Sequence, residues 1–438
     1  MTEMLSDEEI LDELQRSAFG YFTKTVNPEN GLIPDNTRPD SPSSIAAVGL
    51  ALASYPVGVE RGYIAREEAV QLTLAALRFF WNSPQGPAPD ATGYQGFYYH
   101  FLDMVTGKRS GNSELSSVDT GCLLAGVLYS RQYFDRDSEV EKEIRSLAEA
   151  LYLRSDWEWM ANGEASLTHG WRPESGFLGA RWKGYNEGLF LYILGLGSPT
   201  YPLSPQAYQD WTSTYAWKTV YGIDYLYAGP LFLHQYSHLW IDFQGIQDEF
   251  MRKKGSDYYE NSRLATLVQQ QYAIQNPLAY RAYGEDFWGL TASEGPGPGF
   301  KIVDGIERLF FDYEARGAPF GPDDGSIAPW AVLASLPFAP EIVIPAARRL
   351  MKDYPELINE YGCKSTLNPT FWDEPDDPRG WISPHHYGLN QGPLVLMVEN
   401  YRTGLLWNLM RRDPYRVEGL RRAGFRGGWL TPGSPLKQ

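Results

Sequence analysis

The segment RWKGYNEGLFLYILGLGSPTYPLSPQ, residues 181–206, holds one carboxylate, Glu187, with no charged residue after it until Asp210. A helix over 188–197 is apolar on every face, so it belongs in an interior rather than on a surface. Glu187 stands at the mouth of that helix, where a carboxylate costs free energy unless something compensates it. Two readings stay open from these residues. In one, Asn186 caps the helix and Glu187 meets the positive end of its dipole. In the other, Glu187 is a proton donor or acceptor, because burial favours the neutral acid. A second carboxylate in a comparable place is Asp119, in the first turn of another all-apolar helix and just after Ser116 and Ser117; Glu114 and Asp324 stand behind it as alternatives. Two carboxylates across a cavity, one protonated and one ionised, are the minimum apparatus for hydrolysing a glycosidic bond.

Other chemistry finds less support. His234, His238 and Asp242 in HQYSHLWID fall at i, i+4 and i+8, one face of a helix and a spacing that can hold a metal, but no further ligand cluster lies near them in sequence. His385 and His386 read as loop structure. DEPDD (373–377) and PDD (322–324) resemble acidic Mg²⁺ motifs, yet Pro and Gly make them turn chemistry. GPGPG (295–299) lacks the Lys-Ser/Thr that follows a phosphate loop. No cofactor and no metal are expected.

The helices that must position these groups fall into two kinds. Amphipathic ones at 66–81, 139–153 and 340–354 alternate with apolar ones at 45–54, 118–130, 188–197, 326–336 and 389–410. An inner ring of buried helices and an outer ring of half-exposed ones produces that pattern. About a dozen helices in this length fit an all-α (α/α)6 toroid, one domain over 1–438, with few short strands in loops such as 96–102. Polar residues collect where the apolar helices begin: DNTRPDSPSS, NSELSS with Asp119, FGPDDG, and Asn390-Gln391. Parallel inner helices would gather these N-termini at one end, around a cavity lined by aromatics such as Trp182 and Trp288. Asn390 is then a substrate ligand, since an amide binds hydroxyls but is no base at neutral pH.

A net charge of −16 argues against a polyanionic partner, so no nucleic acid is expected. Fourteen Trp and 29 Tyr suit a ligand that offers both CH faces and hydroxyls, as a sugar does. Two cysteines far apart, Cys122 and Cys363, make no disulfide framework. The first residues read as a helix with a Ser6–Glu9 capping box, not as an export signal. As written the chain is expected in the cytoplasm, or in the periplasm if a leader has been trimmed. No apolar run reaches membrane-span length, and a monomer or weak homo-oligomer is expected.

The runs YNEGLFLYILGLGSPTYPL, GPLFLHQYSHLWIDFQGIQD, DYYENSRLATLVQQQYAIQNP, WGLTASEGPG, DDGSIAPWAVLASLPFAPE and NQGPLVLMVENYRTGLLW resemble the bacterial glucoamylase-like domain family. That family includes the endo-β-1,2-glucanases of glycoside hydrolase family 144 and is similar to a domain of cyclic β-1,2-glucan synthases. The likeness extends from about Leu14 to Arg411. It implies an (α/α)6 toroid and metal-free hydrolysis of β-1,2-glucan or sophoro-oligosaccharides, mostly with inversion. Glu187 matches the glutamate of the family's Tyr-Asn-Glu motif, a catalytic acid, and Asp119 the aspartate of its Ser-x-x-Asp-Thr motif. Within the matched runs Tyr185, His234, His238, Arg263, Glu294 and Asp324 join Trp182, Trp288 and Asn390 as expected substrate-binding residues, and Glu114 joins the catalytic set. Two departures stand out. The last inner helix opens Asn390-Gln391-Gly392-Pro393 where the family has Asp-Gln-Gly-Pro, and Glu294 replaces the aspartate of Ala-Ser-Asp-Gly-Pro. Alternatives are an exo-acting glucosidase or transglycosylase of another linkage, or a non-catalytic glycan-binding protein on the same fold.

Overall fold

A computed structural model describes residues 5–372 and 379–431, so the DEPDD motif lies outside the described residues. The chain divides into two compact units, each made of separated stretches: residues 1–21, 216–236 and 259–402 in one, and residues 22–215, 237–258 and 403–438 in the other. Helices dominate both, and the strands are short, two to five residues each. Among the described residues no helix is long and apolar enough to cross a membrane.

In the second unit the helices Ile45–Glu60 and Ser117–Tyr133 are buried along nearly their whole length. Both begin the same way, with a serine in extended conformation accepting from the amide three residues on: Ser44 from Ala47 at 3.4 Å and Ser116 from Asp119 at 3.2 Å. Such a cap satisfies one of the orphan donors of the first turn. The two helices cross at backbone contact. A Cβ on Gly49 would stand 2.2 Å from the Cys122 carbonyl oxygen, and one on Gly126 would stand 2.0 Å from that of Gly49. Outside them lie the amphipathic helices Arg66–Asn82 and Glu139–Leu153, each with acidic residues in its first turn. The helix Leu189–Gly197 is buried at all nine residues, as expected from its composition.

The first unit holds the helices Pro329–Ala334, Pro340–Asp353 and Gly388–Arg402, together with a hairpin pairing Gly299–Val303 with Ile306–Phe310. The helix expected over 326–336 is shorter than its apolar run. Pro329 occupies the first turn, and Ala328 before it is held extended, as the residue preceding a proline prefers. The helix expected over 389–410 is two helices, Gly388–Arg402 and Leu405–Met410. Gly404 between them sits at φ 68°, the left-handed conformation that ends a helix and that glycine adopts without strain. HQYSHLWID is likewise not one helical face: His234 closes a 3-10 turn, Tyr236–Trp240 is a single short helix, and Asp242 lies beyond it.

Candidate active site

Glu187 enters the structure two residues ahead of the Leu189–Gly197 helix. The cap position is Gly188, not Asn186, and glycine has no side chain to offer. Its place is filled twice over. Asn186 Oδ1 accepts from the Gly188 amide at 2.9 Å, and Ser237 Oγ accepts from Phe190 N at 3.1 Å while donating to the Glu187 carbonyl at 3.0 Å. The approach to Glu187 is pinned as well. The Tyr192 hydroxyl donates to Trp182 O at 2.7 Å and accepts from Leu167 N at 3.2 Å. Burial, reinforced by the nearby Asp119 carboxylate, pushes the Glu187 carboxyl up to about 7 against the pull of its local backbone. Half of such groups are neutral at physiological pH, the condition a general acid needs.

Asp119 and Glu114 lie in the same unit, flanking the Leu115–Ser116 strand, which pairs with Gly170–Arg172. Asp119 Oδ2 accepts a short hydrogen bond from Ser116 Oγ. Between the two carboxylates stands His100, its Nδ1 3.2 Å from Glu114 Oε1 and its Nε2 3.6 Å from Asp119 Oδ2. Arg172 Nη2 adds a further positive charge 3.5 Å from Glu114 Oε2. The hydrogen bond from His100 is the main reason the Glu114 carboxyl falls to about 2, with Arg172 helping and burial opposing. Asp35 borders the group and interacts electrostatically with His100 and Asp119; burial raises its carboxyl, against the amide of Asn36 at 2.9 Å. The result is a Glu187 carboxyl that holds its proton more firmly than usual, in the same unit as a Glu114 carboxylate held ionised by a histidine and an arginine.

Trp182, expected as a cavity aromatic, donates from Nε1 to Ser117 Oγ at 2.9 Å and stacks on His169 at 4.0 Å. Tyr185 stacks on Tyr258 at 5.8 Å and meets Tyr215 edge-on. These belong to the unit of the carboxylates, as does His238. The remaining expected ligands fall in the other unit, each with partners of its own. Trp288 is fully buried and is a core residue there. Asp324 is also fully buried and holds Arg316 through two contacts, at 2.7 and 2.8 Å, so its charge is spent on an internal ion pair. His234 is buried, bonded to Ala228 O at 3.1 Å, and its ring is pulled down to about 4 by burial, which makes it a neutral core histidine. His238 is 1% exposed and packs edge-on against Phe243. Arg263 turns instead to Glu260 and Glu341, at 3.4 and 3.7 Å, in a half-exposed cluster. Glu294 and Asn390 are nearly buried, the first accepting from Ser383 Oγ and the second donating to Ser365 Oγ at 3.2 Å. Asp242, the third member of the metal spacing, pairs with Arg411. Among the described residues no three His, Cys, Asp or Glu side chains gather as a metal cluster.

Sequence reasoning missed His100, Asp35, Arg172 and Ser237. Asp35, His100 and Ser237 lie in segments singled out for other reasons, and Arg172 lies in none. The roles of His100 and Arg172 arise only when the Phe101–Leu102 strand pairs with Ser43–Ser44 and Leu115–Ser116 pairs with Gly170–Arg172, and that of Ser237 only when it meets Phe190.

The family described as "Putative glucoamylase" matches residues 179–414, more than half of the chain. The chain belongs to that family. Several solved structures share the fold over nearly the whole length. A "putative glucoamylase" from Bacteroides uniformis superposes with a TM-score of 0.87 at 31% identity, covering 98% of this chain and all of the other. The endo-β-1,2-glucanase of Chitinophaga pinensis, solved with sophorotriose and glucose, gives 0.86 at 28% identity and covers 97% and 100%. The all-α fold of (α/α)6 type with short strands, expected from the sequence, is the one these glucoamylase-family structures share. A curated relative, the exo β-1,2-glucooligosaccharide sophorohydrolase of Parabacteroides distasonis, is 30% identical over 96% of this chain, which spans 58% of that relative's length.

Proposed function

We propose that this chain is a glycoside hydrolase of β-1,2-linked glucans or sophoro-oligosaccharides. Glu187 is its general acid, and the Asp119–Glu114 pair supplies the ionised carboxylate that acts as base or as ligand of the reacting sugar. The observation that carries the reading is the opposite shift of two carboxyls in one unit: Glu187 pushed up to about 7, and Glu114 held down to about 2. Environments that drive two titratable groups apart are what acid–base division of labour requires. The substrate class rests on the relatives: a curated one is an exo β-1,2-glucooligosaccharide sophorohydrolase, and one of known structure is an endo-β-1,2-glucanase. Trp182 and Tyr185, on the approach to Glu187, are the aromatics best placed to meet a sugar face.

The test is incubation with linear β-1,2-glucan, with product sizes followed by chromatography and the first anomer read by proton NMR. Sophorose as the dominant early product marks exo action, and a ladder of oligomers marks endo action. Binding of the glucan without any cleavage would sink the enzymatic reading and leave a glycan-binding protein.

A further inference from the structure

His100 stands in GFYYHFL, and its backbone is fixed from two sides. Its amide donates to Glu114 O at 2.9 Å, and its carbonyl accepts from Ile45 N at 3.2 Å, the first residue of a buried helix. The ring is fixed too, stacked on Phe101 with centroids 3.9 Å apart and planes within 14°. It has little freedom to rotate, and each nitrogen faces a different carboxylate, Glu114 on one side and Asp119 on the other. A neutral imidazole has one N–H and can donate to only one of them; an imidazolium donates toward both.

We infer that His100 is a positioning residue for the proposed hydrolysis, a doubly protonated clamp that sets the orientation of Glu114 and Asp119. The inference rests on the functional reading above for its catalytic part only. The charged groups around the ring come from every neighbouring segment: Asp35 ahead of the Ser43–Ser44 strand, Glu114 ahead of Leu115–Ser116, Asp119 on the Ser117–Tyr133 helix, Arg172 across from Glu114, and Glu187 beyond Asp119. Burial works to strip the ring of its proton, but Asp119, Glu114 and Asp35 together outweigh it and raise the imidazolium to about 9. Without that charge, Glu114, Asp119 and Asp35 are left with Arg172 beside Glu114 and Arg38 beside Asp35 to offset them, and protons return more readily to Glu114.

The experiment pairs kinetics with a direct titration. His100→Gln and His100→Lys are compared with the unaltered protein in kcat and KM against pH on linear β-1,2-glucan, and the ring nitrogens of His100 are followed by ¹⁵N NMR. The glutamine variant should lose about tenfold or more in kcat and move the acidic limb of its profile upward by about one pH unit, the scale on which a close opposite charge shifts a carboxylate. The lysine variant, which keeps a charge, should hold that limb near its original place. A fall in kcat with no movement of the limb in the glutamine variant overturns the clamp, because a packing role does not shift a titration. So does a His100 ring midpoint near 6.5 rather than near 9. If the unaltered protein cleaves no β-1,2-glucan, the functional reading falls with the catalytic part of this one. The ring titration then decides the clamp by itself: a midpoint near 9 supports it and one near 6.5 ends it.

Discussion

Trp182 Nε1 donates to Ser117 Oγ at 2.9 Å, and this single bond ties the segment that delivers Glu187 to the helix that carries Asp119. Ser117 uses the same hydroxyl to donate to Thr168 O at 2.7 Å, so the tie is anchored to a third stretch of chain. Trp182→Phe keeps most of the ring and loses the N–H. The expected outcome is a fall in kcat of about tenfold with a smaller change in KM, because misplacement of a proton donor is felt mainly in the transition state. Steady-state kinetics on β-1,2-glucan check it, and unchanged kcat would mean that Glu187 is held without the tie.

Glu187→Gln keeps the shape and removes the transferable proton. Turnover should drop on the order of a hundredfold to ten-thousandfold, the usual share of general acid catalysis. In the unaltered protein, activity should fall as pH rises through about 7, where Glu187 loses its proton. Stability carries the same sign. The carboxyl is raised above its ordinary value of 4.5, so folding favours the neutral form; this stabilisation is full below about 4.5 and is lost as pH rises through about 7. The glutamine variant never ionises and should exceed the parent in stability above pH 7, by on the order of 1–3 kcal/mol, but not at pH 4. Urea unfolding at both pH values reads this directly. Retention of more than about a tenth of the activity would assign the acid elsewhere.

The His100–Glu114 contact leaves two windows in the stability curve. His100 is raised from 6.5 to about 9, so its contribution is whole below 6.5 and disappears as pH rises through about 9. Glu114 is lowered from 4.5 to about 2, so its contribution is whole above 4.5 and disappears as pH falls toward 2. Melting temperature measured from pH 3 to 10 should decline at both ends. His100→Gln should flatten the alkaline decline, and an alkaline decline that survives intact in that variant would locate its cause in other groups.

The crossing of the helices Ile45–Glu60 and Ser117–Tyr133 tolerates no side chain at Gly126, because a Cβ there would lie 2.0 Å from a backbone oxygen that cannot swing aside. Gly126→Ala should destabilise by about 1–3 kcal/mol or more, as overpacking does. Activity should suffer with it, because Asp119 rides on the displaced helix. Denaturant unfolding decides; a loss under about 0.5 kcal/mol, typical of surface changes, would show that the helices can part freely.

Dialysis against EDTA is expected to change neither activity nor melting temperature. Asp242 is committed to Arg411 and His234 to Ala228 O, so the histidine-rich run offers a metal no open set of donors. Activity lost to the chelator and restored by a divalent ion would overturn this.

What the sequence made legible was local. The Ser6–Glu9 box forms as its spacing predicts, with Ser6 N donating to Glu9 Oε2 at 2.7 Å, and Ser116 caps the helix that bears Asp119. Apolar periodicity located the buried helices because burial follows from composition turn by turn. What stayed hidden was made by partners distant in sequence. Ser237 completes a helix start 47 residues away, and His100 gains its meaning from Glu114 and Asp119 once strands pair. The packing of Trp288 and Asp324 stayed hidden for a related reason. A tryptophan or an aspartate near a motif looks the same in sequence whether it faces a ligand or an internal partner, and nothing in the sequence marks Arg316 as the partner of Asp324.

Cys122 and Cys363 are both free and buried, and they fall one in each compact unit. Burial pushes both thiols up, Cys122 further with the charges of Asp119 and Glu187 close by, and Cys363 to about 12. Since only a thiolate attacks a disulfide reagent, each sulfur at neutral pH is silent until its surroundings open. The pair is therefore a built-in clock with two hands. Labelling rates followed by mass spectrometry report separately on how often each half of the molecule comes apart. Equal rates would mark a chain that breathes as one cooperative body, and unequal rates would name the half that yields first.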